Sequence, residues 1–256
     1  MALYYVGNTQ EGMMRKLPIL VTGTAVIAMS GCGFSVRADA GPRIDRAYPV
    51  SEFTGIDVAG HYNVTVRTGS APSVHANGSE QALDNLRIEV KDGKLEIGQN
   101  KRSGWTWGWS NWHHSGPVNL VVTVPSLDHA GIAGSGAIKV DKISGARFKG
   151  EIAGSGDLVL PVMDVGEISL SIAGSGGIHA GGKAKSVKYE IAGSGDIDAT
   201  GLAAETADVS IAGSGGIKGH ASSVAKVDVM GSGDVTLTGG AKCSVSKSGS
   251  GNVQCS

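Results

Sequence analysis

Apolar residues recur along the second half of this chain at steps of two, on either side of a glycine-rich tripeptide that itself recurs. Gly-Ser-Gly begins at Gly134, Gly154, Gly174, Gly193, Gly213, Gly231 and Gly249, so the steps are 20, 20, 19, 20, 18 and 18 residues. Four positions after the first glycine stand Ile138, Leu158, Ile178, Ile197, Ile217, Val235 and Val253. Two positions before it stand Ile132, Ile152, Ile172, Ile191, Ile211, Val229 and then Lys247. Two further back come Ala130, Gly150, Leu170, Tyr189, Val209, Val227 and Val245. Alternation of this kind predicts strands with one buried face. Glycine so frequent argues against helix, costing about 1 kcal/mol at each interior site. A period near 19 is that of a solenoid, in which each repeat buries its apolar face only against its neighbours.

The predicted fold is all-β: a β-helix or β-solenoid with Gly-Ser-Gly turns every 18–20 residues. Each repeat supplies two short strands of about five to seven residues, one on either side of the turn. Glycine reaches φ > 0 without steric strain, and the small serine can bond backbone groups in the turn. Successive copies should stack about 4.8 Å apart with like side chains in columns. Lys247 interrupts one column in the last copy, as expected of a terminal coil facing water. The residue after each tripeptide reads Ala137, Asp157, Gly177, Asp196, Gly216, Asp234 and Asn252. Aspartate in every second copy suggests a unit of two repeats, with Gly-Ser-Gly corners on opposite edges and the aspartates along one edge.

From Pro49 to Leu127 the pattern is β without the glycine signature. Candidate strands are 55–58, 62–68, 73–76, 86–91, 94–97 and 118–124, with Asp92-Gly93 a hairpin-type turn and 79–85 a helical turn. The last strand, ending at Pro125, should feed directly into the first Gly-Ser-Gly coil and make one continuous β-body.

The N-terminus reads as an export signal. Arg15 and Lys16 precede a short apolar segment, 17–29, of signal-peptide length. Ala28-Met29-Ser30-Gly31-Cys32 resembles a bacterial lipobox, which would make Cys32 a lipidation site and membrane anchor, although Met29 stands where that motif prefers leucine. The alternative is a plain secretory signal cut near Ala38 or Ala40. Residues 1–12 resemble an overextended translation start, 1–32 the signal, 33–47 a polar tether, and 48–256 the β-body, irregular over 48–128 and repetitive over 129–256. Of three cysteines, Cys243 and Cys255 lie six residues either side of Gly249. On strands flanking the last turn they can form a disulfide in an exported compartment, or remain buried free thiols.

Composition changes little in this picture. Forty-one glycines and three phenylalanines suit a thin stacked interior. A formal net charge of −1, with no basic run beyond the N-terminus, argues against a nucleic-acid partner.

The residues 48–256 resemble a known family. Val50-Ser51-Glu52-Phe53-Thr54-Gly55-Ile56, then Val121-Val122-Thr123-Val124-Pro125-Ser126-Leu127, then the serial Gly-Ser-Gly turns are similar to the auto-transporter adhesin head GIN domain family, a domain of unknown function. The resemblance implies a right-handed β-superhelix akin to pectin-lyase folds. It also implies an envelope or surface protein with adhesion proposed and no catalytic residues established.

All four tryptophans, Trp105, Trp107, Trp109 and Trp112, lie within eight residues. Alternation puts three indoles on one face of an extended segment, a platform able to stack on sugar rings or meet a surface partner. Otherwise these rings cover an open end of the solenoid or a sheet edge. His113 and His114 are adjacent, so on a strand they face opposite ways and make a poor metal site. Asp157, Asp196 and Asp234 do not follow the nonapeptide spacing of calcium-binding repeats. No Gly-Ser-Gly is followed by the Lys-Ser/Thr of a phosphate loop, and no one of seven like serines is singled out as a nucleophile. No cofactor is implied. The expected function is a non-catalytic binding, adhesion or structural module of the cell envelope. The alternatives are a carbohydrate-active envelope protein, polysaccharide-binding or lyase-like, using the tryptophan segment and an acidic groove, and an envelope scaffold or sensor.

Overall fold

The computed structural model describes residues 42–69, 71–100 and 116–256. Nearly every described residue after His129 lies in a strand, and successive repeats pair in parallel with no offset at the corner. Gly134, Gly154, Gly174, Gly193, Gly213 and Gly231 are thus partners in a single column. One repeat is one turn of a β-solenoid. The expected unit of two repeats, with corners on opposite edges, is overturned by this register.

The long strands are β10 (Ile143–Gly154), β11 (Asp157–Gly174), β12 (Gly177–Gly193), β13 (Asp196–Gly213) and β14 (Gly216–Gly231). Two short strands per turn were expected. Instead one strand runs from corner to corner, because parallel pairing survives the softer bends with only register shifts, as between Leu160 and Met163. Buried side chains stack in columns up the interior. Ile132, Ile152, Ile172, Ile191, Ile211 and Val229 form one, and Ile138, Leu158, Ile178, Ile197, Ile217 and Val235 another, all buried. The turn ends the column where Lys247 pairs with Val229 and turns its ammonium to the Gly251 carbonyl at 2.8 Å.

The glycines owe their place to stacking as much as to turning. The first glycine of each corner has φ between +124° and +140°, and a Cβ there would strike the carbonyl oxygen of the glycine one turn earlier. A Cβ on the third, as at Gly176, would sit 2.7 Å from Cγ2 of Ile152. Close approach lets the backbone ladder pass through the corner: Ser175 N donates to Gly154 O at 2.8 Å and Gly177 N to Gly156 O at 3.0 Å. The corner serines are exposed, and no bond from their hydroxyls to the turn is found among the described residues. The backbone holds this corner, and serine is there because it is small.

The N-terminal part supplies further turns. Strands β2 (Gly55–Gly60) and β3 (Asn63–Thr68) stack under β8 (His129–Gly134) and β9 (Ala137–Val140), with Val58, Ala59 and Gly60 opposite Ile132, Ala133 and Gly134. Gly60-His61-Tyr62 is therefore a corner without the motif, and Gly60 has the same positive φ of 129°. Beneath it lie β6 (Lys94–Gln99) and β7 (Asn119–Val124), later in sequence but further out in the stack. The strand ending at Val124 thus reaches the first Gly-Ser-Gly coil only by passing the β2–β3 turn. Antiparallel strands cover this end: β5 (Leu86–Lys91) on β6, β4 (Ser73–Ser79) on β7, and β1 (Arg43–Tyr48) on β4. Most of β1 falls in the stretch expected as a tether. Its alternating burial and the Arg43 bonds to Asn77 make it part of the cap. The expected helical turn is α1 (Glu80–Asp84), capped by Ser79, and Asp92 and Gly93 both have positive φ as a type I′ hairpin requires.

Candidate binding face

The outward-facing residues just before each corner make a striped surface. Ala59, Ala133, Ala153, Ala173, Ala192 and Ala212 form an exposed column, ended by Met230, whose side chain is also exposed. Two residues earlier in each turn run Asp57, Gly131, Glu151, Ser171, Glu190, Ser210 and Asp228. An open groove of about 650 Å³ follows these columns, lined also by Val58, Ile132, Ile152, Ile172 and Ile191. It crosses six turns, a length of about 24 Å at the ordinary inter-strand spacing.

Charge along this face repeats every second turn. Lys149 meets Glu151 at 2.9 Å, Lys188 meets Glu190 at 2.9 Å, and Lys226 meets Asp228 at 2.7 Å. The turns between them carry Ser169 with Ser171 and Asp208 with Ser210. Like charges one turn apart would face each other at about 4.8 Å; Ser171 and Ser210 double that separation between the carboxylates, and Asp208 sets an opposite charge between Lys188 and Lys226. The Asp–Gly alternation after the corner has a steric counterpart. Asp196 Oδ1 accepts from Gly216 N at 2.9 Å, and a Cβ at Gly216 would lie 2.7 Å from that oxygen. Asp234 accepts from Asn252 N in the same way. The three aspartates do share one edge, interleaved with glycines.

At the N-terminal end of the groove the wall becomes a cluster. Buried His129 places Nε2 2.8 Å from Asp57 Oδ1 and Nδ1 4.0 Å from Glu151 Oε2, while Lys94 approaches Asp57 Oδ2 at 3.4 Å. The hydrogen bond to His129 holds the Asp57 carboxyl below its ordinary pKa, against the opposing effect of partial burial. Gly131 leaves room for this pair, since a Cβ there would collide with Asp57 Oδ1 unless the carboxylate moved. Nothing in the sequence pattern marked His129 or the groove. The alanine before every corner was the available signal.

The residues expected as sites fare differently. Cys243 and Cys255 are disulfide-bonded, joining β16 (Lys242–Ser248) to β17 (Val253–Cys255) and stapling the terminal coil. Cys32 and the tryptophans Trp105, Trp107, Trp109 and Trp112 lie outside the described residues. Among the described residues no group of three or more acidic, histidine or cysteine side chains is placed to hold a metal ion. No described helix is long and apolar enough to cross a membrane.

Comparison with known proteins places these features in context. The family described as "Putative auto-transporter adhesin, head GIN domain" matches residues 52–241. A crystal structure of a "putative adhesin" from Bacteroides fragilis shares the fold with a TM-score of 0.75 at 22% identity, covering 84% of this chain and 97% of that one. A "putative lipid binding protein" from Parabacteroides distasonis gives a TM-score of 0.67 at 24% identity, covering 84% and 97%. A "putative adhesin" from Parabacteroides merdae gives 0.67 at 18% identity over the same shares. No curated protein matches the chain significantly.

Proposed function

Because the chain belongs to the auto-transporter adhesin head GIN domain family, we propose that it is an exported, non-catalytic binding module of the bacterial envelope that works through the groove beside its corners. The groove carries this reading. It runs along six stacked turns, and its alanine column exposes methyl groups in a row that no described element covers. Core columns account for the inward isoleucines, and they would be satisfied equally by charged residues at the alanine positions. Small side chains there leave room for something else.

In this reading Cys32 is acylated and tethers the solenoid to a membrane, and the tryptophan run takes part in binding. Four indoles within eight residues support that part, since aromatic rings offer a large stacking surface. A binder and not a catalyst is favoured, because the family and the similar solved structures are described by adhesion or binding.

The test is capture of envelope fragments and of intact cells by the protein as processed in its host. Ala173→Arg with Ala192→Arg fills the groove from exposed positions and should abolish capture while leaving the melting temperature in place. Replacing Trp105, Trp107 and Trp109 together by alanine should weaken it. Undiminished capture by the groove-filled variant would defeat the proposal. Radiolabelled palmitate entering the wild type but not Cys32→Ser tests the anchor.

A further inference from the structure

The two ends of the stack differ. From the C-terminal end we infer that the chain pairs with a second copy of itself, β16 antiparallel to β16, about a two-fold axis at Val245. At the N-terminal end antiparallel strands cover the stack, and the outer ones are charged. Strand β1 carries Arg43, Asp45 and Arg46, and β5 carries Arg87, Glu89 and Lys91. Such strands resist further pairing. Strand β16 pairs with β14 in unbroken register, from Lys242 on Val224 to Ser248 on Met230, and no strand meets its other side among the described residues. It contains no glycine, proline or bulge.

The ladder fixes which backbone groups face outward. Lys149 N donates back to Asp128 O, and the column of Lys149 runs through Ser169, Lys188, Asp208 and Lys226 to Ser244. Successive residues of a strand in a parallel sheet turn their N–H and C=O to opposite neighbours. Cys243, Val245 and Lys247 therefore direct theirs away from β14. The Val245 side chain is uncovered as well. Leu170, Tyr189, Val209 and Val227 in its column are buried, whereas Val245 is 49% exposed.

A second copy fits this edge two-fold, and a head-to-tail stack does not, because the N-terminal end it would need is covered. Antiparallel pairing at Val245 brings the two Val245 side chains together and closes the column. It sets Ser244 opposite Ser246 of the copy, Lys242 opposite its Ser248 and Lys247 opposite its Cys243. No two lysines meet, and Lys247 already turns its ammonium back to Gly251 O at 2.8 Å. Charge is complementary across the axis. The column Lys226–Ser244 continues into Ser246 and Asp228 of the copy, and Asp228–Ser246 into its Ser244 and Lys226. The Cys243–Cys255 disulfide ties β16 to β17 and lowers the entropy lost on pairing.

Sedimentation velocity of the processed protein in density-matched detergent, from about 1 μM to about 1 mM, tests the pairing. A dimer that dissociates on dilution is expected. Ser244→Glu with Ser246→Glu sets carboxylates against each other across the axis and should leave a monomer. Ser244→Glu with Ser246→Lys sets opposite charges there and should restore the dimer, at least about tenfold tighter than the first variant. Val245→Pro removes an N–H that β14 does not use, and should weaken the dimer while leaving the circular dichroism of wild type. A monomer throughout the range, which would leave this edge to a strand of some other protein, would overturn the inference. So would a dimer equally tight in both double variants, or one indifferent to Val245→Pro.

Discussion

Replacing Gly174 by alanine perturbs the one position where turning and stacking both depend on the missing side chain. Its φ is +134°, a region that a residue with a Cβ enters at a cost of about 1–3 kcal/mol. The added methyl would also strike the Gly154 carbonyl oxygen, backbone that cannot rotate away because it is itself held in the ladder. Relief requires moving the turns apart at the corner, which stretches the 2.8 Å bond from Ser175 N to Gly154 O. That loss adds about 1 kcal/mol. Together these put the destabilisation at about 2–4 kcal/mol, large for a single methyl. Urea unfolding followed by circular dichroism measures it, with two variants as internal references. Gly145 has no atom within 4 Å of a would-be Cβ and no positive φ, so Gly145→Ala should be neutral or slightly stabilising. Ser175→Ala removes an exposed hydroxyl and should stay within about 0.5 kcal/mol. A loss below about 1 kcal/mol for Gly174→Ala would refute the reasoning, because neither the strain nor the clash would then be present.

Other expectations follow from the same geometry. Tyr189 is wholly buried with no hydrogen-bond partner for its hydroxyl among the described residues, and burial raises its pKa; Tyr189→Phe should therefore raise the urea midpoint, by about 1 kcal/mol in stability, at unchanged m-value. Gly216→Asp sets a second carboxylate against Asp196 Oδ1, and should cost about 1–2 kcal/mol, shrinking as salt is added. The folded-state pKa of Asp57 lies below its ordinary value, so its contribution is complete above the usual carboxylate range and is lost as pH falls through the depressed value. Stability of wild type and Asp57→Asn, measured against pH, should converge on acidification; a constant gap would exclude the His129 pairing as the cause. Reducing Cys243–Cys255 should speed hydrogen exchange in β16 and β17 while leaving β11 and β12 protected. Equal acceleration in all four strands would show the staple to be a global constraint.

Much of the fold was legible because a solenoid writes its contacts at a fixed period. The isoleucine columns, the corner glycines, the Asp92-Gly93 turn and the helical turn after Ser79 all announce themselves locally. The Gly60-His61-Tyr62 corner was not read, since two of the three motif residues are replaced. Val58-Ala59-Gly60, matching Ile132-Ala133-Gly134, was the signal. The placing of β7 outside β3 is a choice between partners distant in sequence, which no local pattern encodes. The alternating aspartates were seen, but their cause was misread. The period of two belongs to charge spacing along a ladder, not to the path of the chain. The groove was missed for a related reason: alanine before glycine looks like part of a turn until stacking puts six of them in line.

The claim on which the rest depends is that each repeat is one full turn, with every Gly-Ser-Gly on the same edge. Spin labels on Ser135 paired in turn with Ser194, Ser214 and Ser232 measure this directly by pulsed dipolar spectroscopy. Separations of about 14, 19 and 24 Å, rising by one inter-strand spacing per repeat, are the predicted result. Separations that alternate from one repeat to the next, as corners on opposite edges would give, would contradict it.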